Sequence, residues 1–131
     1  MDENNLKRKI KSFTDLDTWK IGHKIVVDIY RITEQFPEKE QFGLTNQLRR
    51  AGVSFTSNIA EGFSRNSPKE KIQFYRIALG SLTEIQNQLL IARDIHYLNE
   101  NEFKRIAEQT VTASKLANGL IKFSKTLIQN T

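Results

Sequence analysis

Apolar residues recur at intervals of three, four and seven along most of the chain, the spacing that lines one face of a helix. Leu16, Trp19, Val26, Ile29, Tyr30 and Phe36 form the first such stripe. It predicts a helix from Leu16 to Phe36, with Asp15 as N-cap and Pro37 as its stop. Ile25 and Ile32 stand beside that row and read as apolar surface left for a neighbouring molecule. A second helix is expected from about Phe42–Leu44 to Ser64, burying Leu44, Leu48, Ala51, Phe55 and Ile59. Next come Ser67, Pro68 and, three residues after the serine, Glu70, the pattern of a capping box with proline at the first helical position. The third helix runs through Ile72, Tyr75, Leu79, Leu82, Ile85, Leu89 and Ala92 to about Tyr97. Asn99 followed by Glu102 repeats the start signal, and Phe103, Ile106, Val111, Leu120, Ile121, Leu127 and Ile128 carry the fourth.

Connections this short leave no room for a crossover, so the fold expected is all-α: an up-down-up-down antiparallel four-helix bundle. A single domain over residues 13–131 is expected, preceded by a mobile basic arm over residues 1–12. Gly80, in the middle of the third helix, reads as a point of close helix contact.

The chain has no cysteine and two histidines, His23 and His96, which excludes thiol nucleophiles and cysteine-based zinc sites. Neither histidine belongs to HExxH, and the residues three before them are Lys20 and Arg93 rather than glutamate, so no metal site is expected. Gly43, Gly52 and Gly62 are isolated and build no phosphate-cradling loop. No catalytic residue and no cofactor follow from the sequence. His96, near the end of the third helix, reads as a cap. With no apolar run long enough to cross a membrane, a soluble, cytoplasmic protein is expected.

Charge changes this picture. Lysine and arginine total 20 against 15 acidic residues, a formal net charge of +5, and the excess is clustered. Lys7, Arg8, Lys9 and Lys11 crowd the start, Arg49 and Arg50 are adjacent, Arg65, Lys69, Lys71 and Arg76 gather around one turn, and no acid follows Glu108. Such clusters suit phosphate contact, although solvated faces have the same composition. Few aromatics interleave with them, Phe63 and Tyr75 being the nearest, which favours backbone contact over base stacking.

Ser54, Asn58, Glu61 and Arg65 form a polar stripe beside the apolar face of the second helix. Asn58 and Glu61 read as structural, with Lys71 and Arg76 as partners for the Glu61 carboxylate. Replacing either is expected to act through stability. Arg65, nearer the open turn, is expected to act on binding.

The segments FxDLxxWKxGHKIVxxIY from Phe13 to Tyr30, FGLTNQLRRAGVSFTSNIAEGFSR from Phe42 to Arg65, and IALGSLTEIQNQL from Ile77 to Leu89 resemble a bacterial family. Its members are the four-helix-bundle proteins named for genes inside intervening sequences of 23S ribosomal RNA. The resemblance implies a four-helix bundle and a ring of five subunits. It also implies kinship with the accessory variability protein of diversity-generating retroelements, a basic pentamer that engages a reverse transcriptase and nucleic acid. Gln47, Arg49, Arg50, Ser54, Asn58, Glu61, Gly62, Arg65, Gly80, Ser81 and Glu84 are the matching positions. Thr56 stands where the family usually has proline, so any kink that proline imposes is in question.

These observations together lead to the expectation of a non-enzymatic homo-oligomer, a pentamer, that binds structured RNA or DNA or an RNA–protein complex. Arg49, Arg50, Arg65, Lys69, Lys71 and Arg76 would make the contact. Gln47, Ser54, Asn58, Glu61 and Glu84 would form a structural polar motif, and a reverse transcriptase or another nucleic-acid-processing protein is a possible partner. The alternative is a protein-interaction scaffold whose charges only keep it soluble.

Overall fold

The computed structural model describes residues 9–129. Within them four α-helices run over Asp17–Thr33 (α1), Leu44–Ser64 (α2), Pro68–Asp94 (α3) and Glu100–Gln129 (α4), and no strand occurs among the described residues. α1 packs on α2 and α4, and α3 packs on the same two, which closes a four-helix bundle in chain order. Residues 1–8 of the expected arm lie outside the described residues.

Local chemistry explains the boundaries. Ser12, not Asp15, is the first cap: it accepts the Thr14 N–H, and Asp15 returns the bond by accepting the Ser12 N–H at 3.1 Å. That box closes a 3-10 turn over Phe13–Asp15, after which α1 starts at Asp17 without a side-chain cap. Ser67 accepts the Glu70 N–H at 3.4 Å with Pro68 in the first turn, and Asn99 Oδ1 accepts the Glu102 N–H at 2.8 Å. α3 ends as His96 takes φ 67, the left-handed conformation that lets the Tyr97 and Leu98 N–H groups return to the Ala92 carbonyl at 2.9 and 3.2 Å. α2 continues as α-helix through Thr56.

The core holds most of the expected residues of α2 and α3: Leu48, Ala51, Phe55, Ile59, Ile72, Tyr75, Leu82, Ile85, Leu89 and Ala92 are buried, while Leu44 and Leu79 are half-buried against it. α1 is a correction. Its inward row is Ile25, Ile29 and Ile32, so Ile25 and Ile32 are not surface left for a neighbour, and Phe36 beyond its end is buried too, whereas Tyr30 is 42% exposed and Val26 only half-buried. Both rows are apolar with helical spacing, and the packing of α2 and α4 on α1 decides which one faces the core. Gly80 is a second correction, since a Cβ there would meet nothing within 4 Å. The close approaches are at Gly22, where a Cβ would come within 2.6 Å of Phe55, and Gly62, where it would come within 2.6 Å of Tyr75.

α4 carries few large residues into the core; Ala113 and Ala117 let it approach closely, and Gln109, Thr110 and Ser124 are buried beside them. Its seam with α1 is polar. The buried Asp28 carboxylate accepts from Arg105 at 2.8 Å and from Gln109 Nε2 at 3.1 Å, while Glu102 accepts from both Arg31 and Arg105 at 2.8 Å. With these contacts tying the end of α1 to the start of α4, the 30-residue α4 runs well past the start of the 17-residue α1. Exposed Lys115, Lys122 and Lys125 lie on that far half.

Candidate nucleic-acid interface

The six basic residues singled out from the sequence fall into two groups. Arg49 and Arg50 lie in the second turn of α2, whereas Arg65, Lys69, Lys71 and Arg76 surround its other end. The 15 residues from Arg50 to Arg65 separate the groups by about 22 Å at the helical rise.

Arg49 is held in place by α1. Its Nε donates to Thr33 Oγ1 at 2.9 Å, and its guanidinium lies 4.6 Å from the centre of the Tyr30 ring. Thr33 in turn donates to the Ile29 carbonyl at 2.7 Å, so the hydroxyl's lone pair is presented to the arginine. Arg50 points elsewhere, as neighbours on a helix must. It is exposed and has no ion-pair or hydrogen-bond partner among the described residues. It borders two grooves, one shared with Tyr30, Arg49 and Val53 and one shared with Phe42, Gln47, Ser81, Glu84 and Gln88.

At the other end two of the four basic residues are committed to the fold. Lys71 Nζ donates to the Phe63 carbonyl at 2.7 Å and the Gly62 carbonyl at 3.3 Å. It therefore satisfies the last turn of α2, and burial pushes its pKa below the ordinary 10.5. Arg65 pairs with Glu61 at 3.0 Å and lies 4.8 Å from the centre of the Phe74 ring. The expected pairing of Glu61 with Lys71 or Arg76 is thus overturned: four residues on the same helix is a shorter reach than across the turn, and Lys71 is drawn to the carbonyls. Lys69 and Arg76 are exposed without a partner among the described residues.

The polar motif divides as well. Ser54 and Ser81 hydroxyls meet at 2.8 Å across the α2–α3 seam, and Asn58 Nδ2 donates to the Ser54 carbonyl at 2.8 Å and to its hydroxyl at 3.2 Å. Gln47 and Glu84 are exposed and line the groove next to Arg50 instead of bridging helices. The sequence reading missed Tyr30 and Phe42 as surface aromatics. Phasing α1 on the isoleucine row would have turned Tyr30 outward, and Phe42 sits before the first turn of α2, outside any periodicity.

Among the described residues no three or more of His, Cys, Asp and Glu are grouped to hold a metal ion, and no helix is long and apolar enough to cross a membrane. The family model for the 23S rRNA-intervening sequence protein matches residues 14–119. A crystal structure of a protein with unknown function from the S23 ribosomal protein family of Bacteroides thetaiotaomicron superposes with a TM-score of 0.74. Its sequence is 23% identical, and the match covers 80% of this chain and 98% of that one. No curated protein matches the sequence.

Proposed function

Since the chain belongs to the 23S rRNA-intervening sequence protein family, we propose that it is a non-enzymatic cytoplasmic bundle, assembled as a homopentamer, that binds structured RNA or an RNA–protein complex. A nucleic-acid-processing enzyme such as a reverse transcriptase would be its protein partner. The observation that supports this reading most is the Arg49–Arg50 face. One guanidinium there is held rigid by Thr33 and Tyr30, and the other is uncommitted and exposed. A positioned arginine loses little freedom on meeting a phosphate, and a free one is available to it. The partner-free Lys69 and Arg76 extend the basic surface to the far end of α2, while Lys71 and Arg65 serve the fold first. The aromatic surface of Tyr30 and Phe42 beside these arginines also makes room for unpaired bases.

The test is a titration of a folded RNA hairpin across a salt series. Log affinity should fall linearly with log salt, with a slope of about 0.7–0.9 per phosphate contact. Arg49→Gln with Lys69→Gln should lower that slope by about two contacts. Binding that is absent, or a slope unmoved in this double variant while it remains folded, would count against the proposal.

A further inference from the structure

The groove between the first half of α2 and the middle of α3 has a chemistry that phosphate does not explain. Arg50 and Glu84 both line it, both are exposed, and neither has a hydrogen-bond or ion-pair partner among the described residues. Two uncommitted opposite charges facing one concavity call for a ligand that supplies acceptors to the first and donors to the second. Gln88 lines the same groove at 7% exposure, and its Oε1 is buried without a hydrogen-bond partner. That oxygen too lacks a donor. Phe42 stands at the groove with 87% of its surface exposed, a flat apolar ring with nothing on it.

A phosphate group offers no donor and would be repelled by the Glu84 carboxylate, so the groove is not one more backbone contact. A nucleobase offers what is missing: an edge with hydrogen-bonding groups and a face that stacks. Among the four RNA bases only guanine presents two adjacent N–H donors on its Watson–Crick edge, N1–H and the N2 amino group. Adenine and cytosine place an acceptor nitrogen beside their amino group, and uracil has one N–H between two carbonyls. A carboxylate, an acceptor at both oxygens, can therefore be met twice by guanine alone. The remaining atom of that edge, O6, is an acceptor suited to arginine.

Building on the RNA-binding reading, we propose that this groove takes one unpaired guanine of the bound RNA. Glu84 accepts from N1–H and the N2 amino group, Arg50 donates to O6, and Phe42 stacks on the ring. The groove's volume of about 430 Å³ lies in the range of small-ligand sites. Arg49, which lines the neighbouring groove with Arg50 and is bonded to Thr33 only through Nε, has its other guanidinium N–H groups for the flanking phosphate.

The experiment uses the full chain and hairpins that differ at one loop position, carrying guanine, adenine, cytosine, uracil or inosine, whose base lacks the N2 amino group. The guanine loop should bind about tenfold tighter than the others, with inosine between. Glu84→Gln, at an exposed position, should reduce the preference to about twofold while leaving the salt slope unchanged. Salt-dependent binding with all loops equal would overturn the guanine site and leave the RNA-binding reading standing. A guanine preference that survives Glu84→Gln would also overturn it. No binding of any hairpin at low salt would remove both.

Discussion

Asn58 and Glu61 stand about one turn apart on α2 yet have different physical roles. The Asn58 amide is half-buried and ties the Ser54–Ser81 contact at the α2–α3 seam, so Asn58→Ala should cost about 1 kcal/mol in chemical denaturation. The Glu61–Arg65 pair is exposed on both sides, where ion pairs contribute little, and Glu61→Ala should change stability by less than about 0.5 kcal/mol. Equal losses for the two variants would contradict this assignment. The structure reverses the sequence reading for Glu61, because its spacing was visible but the direction in which the side chain leaves the core was not. His96 supplies a second residue-scale test. A left-handed backbone is strained for any residue with a Cβ, and the His96 conformation suits glycine at the end of a helix. His96→Gly should therefore raise stability by about 1 kcal/mol, read as a higher denaturation midpoint.

Between elements, the α1–α4 seam is the place where charge does the work that apolar packing does elsewhere. The Arg31 and Arg105 guanidiniums hold the Glu102 carboxyl below its ordinary 4.5. A lowered value in the folded state stabilises above 4.5 and loses that contribution as pH falls through the folded value. Denaturation midpoints should thus drop between roughly pH 5 and pH 3, and Glu102→Gln should shrink that drop. Removing Asp28, the buried acceptor of the seam, should cost about 2–4 kcal/mol because Arg105 and Gln109 lose their partner. None of this was visible in the sequence: the partners lie 77 and 81 residues apart, and nothing in their spacing marks one helix face as polar. What was legible is local. The capping residues Ser67 and Asn99 and the apolar rows of α2 and α3 placed three helices closely. The inward face of α1 was not, because its two apolar rows have the same period and only the partner helices decide between them. The candidate site was legible to the same extent: Arg49 and Arg50 as an exposed-or-bound basic pair, but neither the Thr33 anchor nor the aromatic neighbours, which come from α1 and from the loop before α2.

For the whole molecule, large apolar side chains remain in water at Val27, Tyr30, Val53, Ile77, Ile91, Ile95 and Val111. In the proposed oligomer, copies of the chain would cover some of them. Light scattering at micromolar concentration should report a mass several times 15.2 kDa, and a stable monomer would remove the pentamer from the proposal. The unequal lengths of α1 and α4 then acquire a meaning beyond packing. In a closed cyclic ring every copy faces the same way along the axis, so the far ends of α4, with Lys122 and Lys125 and no acid after Glu108, would all gather at one rim. The assembly would have a front and a back, with the α4 lysines of every copy at one end and open to a polyanion laid across it.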